Sequence, residues 1–315
     1  MPRGLRELAE LQRGVVSRKQ ALDAGLSADS IRSRVRGGRW RQLQLGVYAT
    51  FTGDPGRSAT LWAAVLRAGP NAVLSHQTAA ELHNLTEQRW ELVHISLPRN
   101  QRMAPTSGVI VHRSSRVAQA RHPVMTPART RIEETVLDLT QASAGFDEAF
   151  NWLCRGVARR LTTVPLLRAA LDARPRARWR AEILCALADI ADGVHSPLER
   201  RYVRNVERAH GLPEAKRQVA IVRGLRTSYI DNLYEEYAVA VELDGRVAHP
   251  PEERFNDIRR DNANAVGGIT TLRYGWGDVT ERACGTASQV GDLLWRGGWR
   301  GVLRRCGPGC RVRSQ

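Results

Sequence analysis

The sequence predicts an α+β multidomain protein, and three observations predict it. The chain has 315 residues, enough for two or three domains. Its first fifty residues read as two short helices followed by a strand pair, with glycines at the joints. From about His195 the pattern becomes helix, three strands, helix, strand, helix. Apolar residues make up 42% and charged residues 25%, ordinary values for a chain that buries a core. The predicted segments are 1–52, a mixed α/β middle region over 53–190, an α/β core over 191–300, and a basic tail over 301–315.

Ser17-Arg-Lys-Gln20 is a capping box that opens the first helix, and Gly25 ends it. Ser27 opens a second helix, with Ile31 and Val35 four apart on one face and Gly37-Gly38 as its stop. Trp40 to Leu45 and Val47 to Ala49 form two strands around Gly46. This is the order of a winged helix-turn-helix, whose second helix enters the major groove. Ser30, Arg32, Ser33 and Arg36 are then placed to reach base edges, and Arg39 and Arg41 to meet phosphates. The segments Gly14 to Leu22, Gly25-Leu26-Ser27 and Gly46 to Ala49 resemble the N-terminal domain of the AbiEi type IV antitoxin family.

Charge agrees with that reading. Lys and Arg total 48 against 32 Asp and Glu, a net +16. Almost all the cations are Arg, whose planar fork suits phosphate and guanine edges. A pI near 10.9 is the electrostatic footprint of a nucleic-acid binder. No apolar run is long enough to span a membrane, and Met1 to Glu10 lacks the apolar stretch of a signal peptide. Five scattered cysteines point to a reducing cytoplasm rather than a disulfide framework. Cys306 and Cys310 flank Gly-Pro-Gly, but one such pair is weak evidence for a metal, and the segment reads as a frayed tail.

The middle region opens after Asp54-Pro-Gly56 with an apolar helix over 57–69 and a capped helix over 75–82. Strands follow over 91–97 and 109–112, then a helix over 128–140. Ser75-His76, Ala79-Ala80, His83 and Thr126-Pro-Ala-Arg-Thr130 resemble the middle part of AbiEi-like proteins. His76 and His83 lie two helical turns apart, a spacing read as packing or capping. Residues 146–191 are helical, with a basic break over 174–180 that either meets phosphates or is solvated.

Ser196-Pro-Leu-Glu199 opens the helix of the C-terminal segment, with Pro at its first position. Strands follow over 216–222, 225–231 and 237–244. The third is apolar until it ends in Glu242 and Asp244, which share a face. A charged helix over 252–265, a strand over 269–274 and a closing helix over 278–295 complete the segment. Asp257 and Asp261, one turn apart, are read as partners of Arg254, Arg259 or Arg260.

That order is the order of a restriction-endonuclease-like core. Ser196 to Glu199, Asp231, Glu242-Leu-Asp-Gly245, His249, Asp257, Arg259-Arg-Asp261 and Leu272-Arg-Tyr274 resemble the DUF559 family of PD-(D/E)XK nucleases, related to very-short-patch repair endonucleases. The resemblance implies a catalytic set of Asp231, Glu242, Asp244, Glu199 and His249. Asp231, Glu242 and Glu199 would hold Mg²⁺ or Mn²⁺. Two departures stand out: Asp244 occupies the motif's Lys position, and no Pro precedes Asp231. Arg246, His249 or Arg259 are the candidates to supply the missing charge, and Arg246 and Arg259 also to grip DNA. The expected function is a metal-dependent endonuclease on double-stranded DNA. The alternative is a regulator or antitoxin-like protein with an inactive nuclease fold, whose partners would be a toxin or a second copy.

Overall fold

A computed structural model of the chain describes residues 1–223, 226–244 and 251–312, with the side chains of 223, 226 and 251–257 left aside. The chain divides into two compact units. One is Met1–Ala144 with Arg155–Arg178, the other Gly145–Cys154 with Trp179–Gln315.

The first unit begins α1 (Arg3–Leu11), β1 (Val15–Ser17), α2 (Arg18–Asp23), α3 (Ala28–Arg36), β2 (Arg41–Gln44) and β3 (Val47–Ala49). The capping box on α2 forms in full: Ser17 Oγ accepts from Gln20 N, and Gln20 Oε1 accepts from Ser17 N. Neither α1 nor β1 was among the expected elements. β1 joins the hairpin to make a sheet of order β1-β3-β2. Leu5, Val16, Ala21, Ile31, Trp40 and Tyr48 close the core beneath it.

The next helix, α4 (Gly56–Ala68), decides where the first domain really ends. One face, Ala59, Trp62, Ala63 and Leu66, packs on Val15 and Val47. The other, Leu61, Ala64, Val65 and Ala68, packs on Leu74, Val93, Ile95 and Leu97. Each set follows the i, i+3, i+4, i+7 spacing of one helical stripe. The boundary expected at residue 52 therefore cuts through a shared core. β4 (Val73–Leu74), α5 (His76–Leu82), β5 (Val93–Pro98), β6 (Val109–Ser114), α6 (Val117–Ala120) and α7 (Ile132–Ala142) come next. β5 lies central in the sheet β4-β5-β6, antiparallel to β4 and parallel to β6. α8 (Phe146–Ala158) begins in the second unit, and α9 (Val164–Asp172) returns to the first. In the basic break after α9, Arg174 turns onto the carboxylates of α7. It pairs with Glu134 and, at 2.8 Å, with Asp138.

The second unit continues with α10 (Arg180–Ala191) and α11 (Pro197–Arg201), which widens into a π-helical stretch, Tyr202–Arg208. β7 (Lys216–Arg223), β8 (Arg226–Tyr234), β9 (Val239–Leu243), α12 (Pro251–Val266), β10 (Thr270–Tyr274), α13 (Trp276–Thr280) and α14 (Ala283–Arg296) complete it. The single closing helix expected from the sequence is thus two. The sheet runs β10-β9-β8-β7, with only the β10–β9 pair parallel.

One face of this sheet is fastened to the π-helical stretch by a buried charge pair. Arg217 grips Glu207 through Nη2 to Oε1 at 2.6 Å and Nη1 to Oε2 at 3.3 Å. Arg217 Nη1 also donates to Asn232 Oδ1 at 2.6 Å, and Tyr234 donates to Glu207 Oε2 at 3.2 Å. Tyr202 and Tyr234 join their hydroxyls at 2.8 Å. The segment 301–312 carries no helix or strand but is not frayed. Arg304 N donates to His210 O at 2.8 Å, and Cys310 and Val312 are buried. Replacing Glu207 by Ala leaves Arg217 uncompensated and should cost about 3–5 kcal/mol, measured as a lower urea midpoint at unchanged slope.

Candidate functional site

Two surfaces answer to the residues singled out by sequence. The first is the exposed side of α3. Ser27 caps it by accepting from Ser30 N, and Ile31 turns inward. Arg32, Ser33, Arg36, Arg39 and Arg41 are exposed, and Ser30 is half-buried. Arg32 pairs with Asp29 one turn back, and Arg34 holds the Ser30 hydroxyl. Arg34 lies over the Trp40 ring, 5.8 Å from its centroid, so it braces α3 against the hairpin. Apart from Ser30, whose hydroxyl is engaged, the expected DNA-facing side chains of this module point outward together.

The second is a cleft of about 830 Å³ on the four-stranded sheet. Asp231, Glu242, Asp244, Arg259, Arg260 and Arg273 line it. Strand register explains why they meet. β8 and β9 pair up to Asn232 with Val241, and one further step sets Asp231 opposite Glu242. Glu242 in turn pairs with Arg273 across β9 and β10. On β7 the antiparallel ladder skips Gln218, the residue facing Asp231, whose backbone has φ +50°. Gln218, Asp231, Glu242 and Arg273 thus form one transverse row. Side chains alternate along a strand, so the neighbouring row, with Arg217 and Asn232, faces the π-helical stretch instead.

Asp231 is held firmly. Its Oδ2 accepts from Leu243 N at 2.9 Å and its Oδ1 from Gln218 Nε2 at 3.1 Å. Glu199 reaches the same group from α11, with Oε2 at 3.5 Å from Gln218 Nε2 and 2.8 Å from His195 N. Ser196 Oγ accepts from Glu199 N, so the capping geometry and the approach to Asp231 coexist. Burial, with the charge of Asp231 added, pushes Glu199 up to about 7. Burial and the same neighbour also raise Glu242, whose protonated form hydrogen-bonds Asp231. Arg273 and Arg260 oppose that rise.

The other expected residues fall in several places. Asp244 is half-buried, 3.3 Å from Arg273 Nη1. Arg259 lines the cleft, while Arg246 and His249 lie outside the described residues. Asp261 pairs with Arg273 of β10 through two bonds of 2.9 Å. The side chains of Arg254 and Asp257 also lie outside the described set. Gln218 and Arg273 were not singled out from sequence, and Arg260 was read only as an ion-pair partner within its helix. Arg273 sat inside the quoted Leu272-Arg-Tyr274, but its partners depend on a strand register that local pattern does not reveal. His76 and His83 do not meet. His83 donates to Thr130 O at 2.7 Å, and His76 stacks on His112 with ring centroids 3.6 Å apart.

The cleft sets the Asp231 carboxyl beside those of Glu242 and Glu199, with Arg259, Arg260 and Arg273 as its cationic walls. Without a cation, the crowding has a stability cost. A carboxyl raised in the folded state stabilises below its unfolded value of 4.5, and that contribution is lost as pH rises through about 7. Glu199→Gln mimics the protonated form. Relative to wild type it should gain on the order of 2–3 kcal/mol between pH 5 and pH 8, read from urea melts without metal. An equal effect at both pH values would mean that the carboxyl does not titrate in this range.

Residues 4–50 match a protein family described as "Transcriptional regulator, AbiEi antitoxin". No curated protein matches the chain. Among the described residues no helix is long and apolar enough to cross a membrane.

Proposed function

We propose that the protein is a DNA-binding transcriptional regulator of the antitoxin-like kind, reading double-stranded DNA with α3. The observation that carries this is the coincidence of the family match over residues 4–50 with an outward row of Arg32, Ser33 and Arg36 on α3. The element order α2, α3, β2, β3 is that of a winged helix, with Arg39 and Arg41 at the hairpin where phosphates pass. The net charge of +16 supplies the long-range attraction. The antitoxin part of the reading implies a toxin partner in the cytoplasm.

The test uses the full chain, because truncation at residue 52 would strip the cover from α4. Selection from a random duplex library should return a defined site. Arg32→Ala or Ser33→Ala should cost about 1–3 kcal/mol on that site and little on random DNA. Arg39→Ala or Arg41→Ala should weaken all sequences alike and reduce the salt slope by about 1 each. Selection without enrichment, or unchanged preference in the Arg32/Ser33 double variant, would sink the reading.

The closeness of Asp231 to Glu242 on one side and to Glu199 on the other favours a second reading, metal-dependent hydrolysis of phosphodiesters. A bound Mg²⁺ or Mn²⁺ would polarise the phosphate and acidify an attacking water. Asp231 and Glu242 would be its ligands, with Glu199 a third. Asp231, fixed by Leu243 N and Gln218, gives the set its rigidity. Arg273, Arg259 and Arg260, which line the same cleft, would balance the phosphate charge in place of the motif lysine. Supercoiled plasmid should then be nicked with Mg²⁺ and spared with EDTA. Asp231→Asn and Glu242→Gln should each lower nicking at least about 100-fold while retaining DNA binding. Wild type that binds but never nicks with either metal would reduce this cleft to a binding-only role.

A further inference from the structure

We propose that the C-terminal segment carries a structural zinc site made by His210, Cys284, Cys306 and Cys310. The four come from three places: the end of the helix that begins at α11, the first turn of α14, and the tail. One ligand atom from each lies within 4.8 Å of the others, and among the described residues no other group of His, Cys, Asp and Glu meets that condition. Cys284 Sγ stands 3.7 Å from both Cys306 Sγ and Cys310 Sγ. A tetrahedral zinc with Zn–S bonds of about 2.3 Å has sulfur–sulfur edges of about 3.8 Å. A disulfide needs about 2.05 Å.

The histidine supplies the independent observation. His210 is fully buried, and its Nδ1 donates to Val206 O at 3.0 Å. That bond fixes the tautomer and leaves the Nε2 lone pair free, yet Nε2 is buried with no hydrogen-bond partner. A buried polar atom left so keeps its full desolvation penalty, and metal coordination removes the deficit. Orientation of a ligating imidazole by a backbone carbonyl on its other nitrogen is the usual outer-shell arrangement of zinc sites. Gly307-Pro308-Gly309 returns the chain so that Cys310 N donates to Gly307 O at 3.1 Å, bringing Cys306 and Cys310 to one side.

Binding is acid–base chemistry with no change of oxidation state. Three Zn–S bonds and one Zn–N bond form, and three thiol protons leave to solvent. The set is closed, with four protein ligands and no open position, so the role is structural: the ion ties the tail to two helices.

The full chain, purified without chelator from zinc-supplemented medium, should contain about one zinc per chain by elemental analysis. Cobalt exchanged into the site should show tetrahedral d–d bands and thiolate-to-metal charge transfer. Cys306→Ser, an exposed position, should bring the metal content close to zero, whereas Cys185→Ser should leave it unchanged. Wild type purified with less than about a tenth of an equivalent and no cobalt charge-transfer band would overturn the site. So would a disulfide among these cysteines in the freshly isolated protein.

Discussion

The second unit depends on the two-sidedness of one strand pair. On β7, Arg217 faces the π-helical stretch and Gln218 the opposite side. On β8, Asn232 and Asp231 divide in the same way. The buried Arg217–Glu207 pair sets the register of the sheet against the helix, because the guanidinium has one carboxylate to meet. A slip of one residue would bury Asp231 and expose Asn232, placing an unpaired charge in the core. The same interaction that fastens one face therefore aligns the acidic row on the other. Polar specificity, more than apolar area, defines this sheet.

Electrostatics inside the cleft is balanced by geometry rather than by simple pairing. Arg273 satisfies Asp261 through both forks and still stands within 3.3 Å of Asp244. Burial first, and the Asp231 carboxyl second, make Glu242 retain its proton longer, against the pull of Arg273 and Arg260. Asp244, at the position where a cation was expected, has one beside it, because Arg273 reaches it from the adjacent strand. The positive charge comes from the adjacent strand and from α12.

Much of this was readable in the chain. The capping box at Ser17 and the N-cap serine at Ser196 announced their helices through purely local chemistry. The apolar run ending in Glu242 and Asp244 announced a buried strand with acids at its mouth. What escaped was whatever depends on distant partners. Gln218 looks like any polar strand residue until its strand is set beside Asp231. Arg174 looks like part of a solvated basic loop, but its guanidinium closes on Glu134 and Asp138 from another helix. His210 and the three cysteines are spread over a hundred residues, and only the tertiary fold makes them neighbours. The helix α1 was missed although Leu5, Leu8 and Ala9 follow the i, i+3, i+4 spacing of one face, because no capping side chain marks its start.

The double-sided helix α4 has a consequence for how such proteins can be recombined. A reader module joined by a loose tether can be exchanged between chains like a cartridge. Here Ala59 and Ala63 are the floor of that module, while Leu61 and Val65 on the same thirteen-residue helix are the roof of the sheet β4-β5-β6. Any chimera that changes the DNA-reading part must carry this helix across and rebuild its far face for a new neighbour. Specificity in this architecture is portable only together with part of the scaffold.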